Sequence, residues 1–358
     1  MALLAAPPVA TRPRRDRVNL RTVTLAHGGG GKAMRDLIDD VFLSALPGTP
    51  IGPMEDQARV ELATIAATGD RLAFTTDSYV VDPIEFPGGD IGKLAVCGTV
   101  NDLAVGGAQP LYLSCAVIVE EGLEVDTLRR IARSMAVTAR EAGVAMVTGD
   151  TKVVHRGACD KIFITTSGVG AIPPGRRFGI DQARPGDVVL VNGVLGDHGA
   201  AILAARGDMA LDVPLASDCA ALNGLIEALI AVAPGLRLMR DATRGGIATV
   251  LNEIAESSGV GVVIDEASTP MRDAVKGMCE LLGLDPLYLA NEGKIVAVVA
   301  PEDAGAALAA LQAHPLGREA RAIGRVVADR PGRVVMETVF GGRRIVDMLV
   351  GEQLPRIC

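Results

Sequence analysis

Short apolar stretches, separated by breaks that carry Gly, Pro or Asp, run along the chain from Val18 to Val350. Arg71–Val81 carries β-branched and aromatic residues around Asp77 and predicts a strand. Asp90–Val105 reads as a helix closed by Gly106-Gly107, which suit a left-handed cap. Leu111–Val119 is an apolar stretch of strand length, broken only by Ser114, and reads as a buried strand. Asp126 caps a helix that runs to Glu141, with arginines on its outer face and Gly143 after its end. Val144–Val147 and Lys161–Val169 follow as strands. The Pro- and Gly-rich stretch Ile172–Gly186 then interrupts the pattern. Beyond it, Asp187–Val191, Gly259–Ile264, Lys294–Ala300 and Ala322–Ala328 read as strands. Helices are expected at Asp197–Ala205, from a Ser217 cap to Ala233, at Ile247–Ser257 and at Glu302–His314.

Two halves of similar size, each mixing strand pairs with helices, place the chain in the α/β (α+β) class. The expected domains are residues 18–172 and 173–350. Residues 1–17 read as a disordered leader, since the apolar stretch precedes its arginines, the reverse of a secretory signal. Residues 351–358 have no periodicity, contain Pro355 and read as a mobile tail. Composition narrows the class: 49% of the 358 residues are hydrophobic, yet no apolar run approaches the ~18 residues of a membrane helix. A net charge of −8 argues against broad electrostatic binding to nucleic acid or anionic lipid. The six cysteines form no CxxC pair and suit the reduced thiols of a cytoplasmic protein.

Several motifs can carry chemistry. Gly28, Gly29, Gly30 and Gly31, followed by Lys32 and a helical pattern, can turn backbone N–H groups toward an anion or form a plain flexible turn. The spacing is not that of a Walker A loop. Asp56, Asp77, Asp102, Asp150 and Asp241 stand at element ends. Each alone reads as a cap or turn residue; as a group they suit Mg²⁺, which takes one or two carboxylates plus phosphate oxygens. Lys152 lies in the acid- and Gly-containing TGDTK segment, and Glu292 in NEGK. The histidines share no metal-ligand spacing, and GDHG at Gly196–Gly199 reads as a helix start capped by Asp197. Cys358 offers a nucleophilic sulfur on a tail of eight residues, which spans at most ~29 Å when extended.

Taken together, LAHGGGGKAM, TTDSYVVDPIEFPGGDIGKLAVCGTVNDLAVGG, VTGDTKVV, GDHGA, RDATRGG, CELLGLDPLYLANEGK and the final PRIC resemble the HypE family, the carbamoyl dehydratases of nickel–iron hydrogenase maturation. The matching segments span Leu25 to Cys358 in order. The resemblance implies a two-domain architecture like that of aminoimidazole ribonucleotide synthetase (PurM-like) with a flexible C-terminal tail. It also implies a homodimer and ATP at the dimer interface. Carried over by motif, Asp56, Asp77, Asp102 and Asp241 would hold Mg²⁺. Gly28–Gly31, Lys32, Asn101, Asp150, Thr243 and Arg244 would contact the nucleotide. Cys358 would carry a carbamoyl group, loaded by a HypF-type carbamoyltransferase and dehydrated at the expense of ATP to a thiocyanate. The cyano group would pass to a HypC–HypD complex. Glu292 or Lys152 would take the nitrogen proton. Two rivals stand beside this reading. A selenophosphate synthetase would carry a reactive Cys or selenocysteine in its glycine-rich segment, which this chain lacks. A scaffold whose tail cysteine only docks would hydrolyse no ATP.

Overall fold

The computed structural model describes residues 18–46, 57–207, 215–351, 354 and 356–358. The expected Asp56 ligand therefore lies outside the described residues. Among the described residues two sheets stand side by side, each covered by helices.

The first sheet contains β1 (Arg71–Tyr79), β4 (Gln109–Glu120), β5 (Ala145–Val154) and β6 (Ile162–Ile172) in the order β1-β6-β4-β5. Only the β4/β5 pair is parallel. The short strands β2 (Glu85–Phe86) and β3 (Gly89–Asp90) form a separate ribbon. Two short helices, α1 (Lys32–Leu37) and α2 (Leu62–Thr68), precede the sheet. Its covering layer is α3 (Ile91–Val105) and α4 (Val125–Ala142).

In α4, Leu128, Ile131, Ala132, Met135 and Ala139 fall on one buried stripe, the spacing that drives an amphipathic helix onto a sheet. Gly143 ends it in a left-handed cap at φ 72°. Asp126 is not the cap; Glu124 occupies that position and Asp126 pairs with Arg129 one turn on, at 2.6 Å. In α3 the Asp90 carboxylate does cap, accepting from the N–H groups of Gly92 and Lys93 at 2.7 and 3.0 Å. Gly107, at φ 83°, supplies the left-handed turn after α3, whereas Gly106 keeps helical angles.

The second sheet holds β7 (Val188–Val191), β8 (Leu236–Asp241), β9 (Gly261–Asp265), β10 (Ile295–Val299), β11 (Arg321–Val327), β12 (Arg333–Glu337) and β13 (Arg343–Val346). Their order is β13-β12-β9-β11-β7-β10-β8, parallel only at β12/β9. Helices α5 (Asp197–Arg206), α6 (Asn223–Val232), α7 (Gly246–Ser258), α8 (Asp273–Leu282) and α9 (Ala304–Ala313) complete it. Two expected caps are replaced. Gly196 caps α5, and Asp197 instead pairs with Arg272 at 2.9 Å. Leu222 caps α6, five residues after Ser217.

The two units meet along α3. Ala104 and Val105 pack into a cluster with Leu190, Leu222, Leu225 and Met239 of the second unit. Ile357 and Cys358 pack against the core of the first. No helix among the described residues is long and apolar enough to cross a membrane.

Candidate active site

Glu292 stands in the loop before β10, and its neighbours fix that loop. The buried Asp218 carboxylate accepts from the backbone N–H groups of Glu292 (3.1 Å) and Gly293 (3.3 Å) and from Lys294 Nζ (2.8 Å). Glycine is required at 293, because a Cβ there would sit 2.0 Å from the Asp218 carbonyl oxygen. The Glu292 side chain is 3% exposed, and its Oε1 has no hydrogen-bond partner among the described residues. Burial pushes its carboxyl well above the ordinary range, and the negative charges of Asp218 and Asp241 push it further.

The Cys358 thiol is an electrostatic neighbour of this carboxyl. Burial, then the neighbouring Glu292, raises that thiol, while the Arg244 guanidinium opposes the shift. The tail that sequence patterning reads as mobile is seated in the fold by several contacts. Ile357 is buried. Its carbonyl accepts from His198 Nε2 at 2.7 Å. The Arg356 carbonyl accepts from the Asp82 N–H (3.2 Å) and Arg206 (2.8 Å), and the Arg356 side chain pairs with Asp160 at 3.2 Å.

Three further carboxylates interact electrostatically, and two of them, Asp77 and Asp241, also act on Glu292. Asp77 on β1 accepts from the Ser78 N–H at 2.7 Å and contributes repulsion at Glu292, Cys358, Asp102 and Asp241. Asp102 on α3 accepts from Thr75 Oγ1 at 2.9 Å. Burial first, then Asp241, pushes it up to about 6. Burial likewise raises Asp241 at the end of β8, with Arg240 and Thr243 opposing. This negative potential and hard oxygen donor set fit a divalent cation. Among the described residues, no three acidic, His or Cys side chains could enclose an ion alone. An ion there would need oxygens from a bound phosphate, the usual habit of Mg²⁺.

The remaining expected residues lie elsewhere. Lys152 and Asp150 project from β5, the opposite edge of the first sheet from β1, and pair with each other at 3.6 Å. Their side chains are more than half exposed, and they flank the buried Thr151. They thus occupy the open face, whereas Thr75 and Tyr79 turn toward α3. Lys152 is accordingly not beside the thiol of its own chain. The glycine segment packs on the same edge, with Gly28 pressed against Val153 and Gly30 left-handed at φ 77°. Lys32 is 88% exposed and pairs with Asp36.

Asn101 bridges the two units. Its amide donates to the carbonyls of Ala220 (3.0 Å) and Glu292 (3.4 Å) and accepts from the Leu222 N–H (2.7 Å). These backbone bonds make it a fastener between the two units.

His198 and Asp218 escaped the sequence reading. His198 is wholly buried, in edge contact with Phe86, and grips the tail. A histidine between a cap-like Asp and a glycine gives no spacing signal; its meaning comes only from the distant Ile357.

Comparison with known proteins agrees with this architecture. The AIR synthase related protein N-terminal domain matches residues 54–172, and the C-terminal domain of that family matches residues 184–337. A carbamoyl dehydratase HypE of Rhodobacter capsulatus is 66% identical over 336 residues, 94% of this chain and 98% of that protein. The crystal structure of a hydrogenase maturation protein HypE in complex with ATP is 50% identical with a TM-score of 0.88, covering 94% of this chain and 99% of that one. A chain of a HypE–HypF complex is 50% identical with a TM-score of 0.75, covering 78% and 90%. With the PurM-like pair of domains, the resemblance along the sequence and a full-length relative at this identity, the chain belongs to the HypE family of carbamoyl dehydratases.

Proposed function

We propose that this chain converts a carbamoyl group carried on Cys358 into a cyano group, leaving a thiocyanate that supplies the cyanide ligand of a hydrogenase iron centre. The observation that carries this reading is the seating of the tail, through the Ile357 carbonyl on His198, so that Cys358 neighbours the buried Glu292. ATP, with Mg²⁺ at Asp77, Asp102 and Asp241, would supply the phosphoryl group that turns the amide oxygen into a leaving group. The chain's own residues do the rest. The seat holds the thiocarbamate against Glu292. The raised carboxyl, once ionised, is a strong base at hydrogen-bond reach of the nitrogen proton. Arg244 adds positive charge beside the sulfur. Of the two candidate bases, the geometry favours Glu292, since Lys152 is exposed on the far edge.

The separation of the glycine segment, Asp150 and Lys152 from the thiol suits a homodimer, with nucleotide contacts at Gly28–Gly31, Asp150, Thr243 and Arg244 drawn from two copies. Exposed Leu72, Phe74 and Ile118 on the open sheet face give such a dimer an apolar surface. A HypF-type transferase would load Cys358, and a HypC–HypD complex would accept the cyano group. Both proposals rest on the family, the first also on the solved HypE–HypF complex. The free cysteines suit the cytoplasm.

Intact mass spectrometry tests the reaction. After incubation with carbamoyl phosphate, ATP and the transferase, the tail gains about 43 Da (CONH₂ for H) and converts to a gain of about 25 Da (CN for H). Glu292→Gln stops at the first species and Cys358→Ala forms neither. Cyano product from Cys358→Ala would falsify the assignment.

A further inference from the structure

We propose that His198 is a positioning residue that seats the tail for dehydration, by holding the Ile357 carbonyl one residue before the reacting sulfur. The inference rests on the proposed role of Cys358 and adds what fixes that sulfur in place.

The hydrogen bonds determine the arrangement of the imidazole. A carbonyl can only accept, so Nε2, 2.7 Å from the Ile357 oxygen, carries the ring proton. Burial lowers the basicity of His198, which keeps the ring neutral and Nδ1 unprotonated. Nδ1 therefore accepts from Ser217 Oγ at 2.8 Å. The Ser217 oxygen in turn accepts from the Cys219 N–H at 3.1 Å, and the Phe86 ring closes the side of the imidazole with centroids 5.6 Å apart. Every polar atom of the imidazole is engaged, and neither bond can be reversed.

The same short segment fixes the other half of the pair. Ser217 sets the imidazole while the adjacent Asp218 holds the backbone of Glu292 and Gly293. One segment thereby fixes both the residue that grips the tail and the loop that carries the acid. Behind this grip, Arg356 is left-handed at φ 54°, a conformation side chains rarely adopt. The chain turns there so that consecutive carbonyls face different partners, Asp82 and Arg206 for Arg356 and His198 for Ile357. The Asp82, Arg206 and Asp160 contacts anchor the tail, and His198 makes the last contact before the sulfur.

A seat of this kind acts on the two chemical steps differently. Loading by a separate transferase requires Cys358 outside the seat; dehydration requires it inside. Loss of the His198 bond therefore slows the second step and spares the first, whereas general damage slows both.

The test uses the full chain with His198→Phe, which keeps an edge contact for Phe86, and His198→Gln, which retains a side-chain N–H donor. Iodoacetamide labelling, read on the C-terminal peptide, reports whether the tail is seated; the partly exposed Cys159 serves as internal control. In His198→Phe, Cys358 labels about five- to tenfold faster, the loss expected for one buried hydrogen bond, while Cys159 is unchanged. Conversion of the carbamoylated to the cyano form slows by a similar factor, with the loading rate undiminished. His198→Gln falls between this variant and wild type. Wild-type labelling and conversion in folded His198→Phe overturn the proposal, as does equal slowing of loading and conversion. Should His198→Phe not fold, His198→Gln decides by the same readouts, and slowed conversion with unchanged labelling overturns the proposal too. Absence of cyano product in wild type would instead sink the proposed reaction, and the labelling comparison still judges the seat.

Discussion

Asp102 illustrates how a single residue can trade stability for a site. Its carboxyl is pushed up to about 6 by burial and by Asp241, so the folded chain resists ionising it. The unfolded chain ionises the same group near pH 4. A raised acid therefore lowers stability as pH climbs from about 4 to about 6, and the penalty persists above that range. Asp102→Asn keeps an acceptor for Thr75 and should raise stability at pH 7.5 by on the order of 1–3 kcal/mol, a gain that vanishes below about pH 4. Thermal melts at both pH values check this, and the same variant should bind Mg·ATP more weakly. Asp77, Asp102 and Asp241 were visible in the sequence as acids at element ends. Their mutual repulsion was not, since it depends on β1, α3 and β8 meeting in space.

At the level of elements, the loop before β10 depends on one buried ion pair. Asp218 and Lys294 are both nearly inaccessible, and Asp218 also satisfies two backbone N–H groups. Removing one partner of such a pair strands the other without water. Asp218→Ala should therefore cost about 3–5 kcal/mol, measured by urea unfolding, and should abolish cyano formation even where the variant remains folded. Helix and strand existence was largely legible from the apolar pattern, as α4 and β4 show. Starts were less so: Asp126, Asp197 and Ser217 have cap chemistry but serve Arg129, Arg272 and His198 instead. A short polar side chain has several partners of comparable strength, and only the fold chooses among them.

Over the whole molecule, the Pro- and Gly-rich stretch Ile172–Gly186 spans the junction at which one matched domain ends, at residue 172, and the next begins, at residue 184. Strand order was not legible in the sequence, because β1 pairs with β6 across intervening elements that carry no register signal. Asn101 joins the two units by three bonds to backbone. Asn101→Ala leaves those groups unpaired, at about 1–3 kcal/mol each, and should loosen the coupling between units. Calorimetry should show a broader or divided transition in place of the wild-type one, with each unit retaining its secondary structure by circular dichroism.

The seated tail also gives the chain a kinetic property. In the proposed reaction, a transferase meets only the fraction of molecules whose Cys358 is free, so its apparent affinity equals the intrinsic value reduced by that fraction. Each contact at Ile357 and Arg356 that steadies the dehydration step thus makes reloading rarer. Turnover becomes a commute of the last residues between two proteins, and strengthening the grip beyond its natural value should slow the whole cycle rather than speed it.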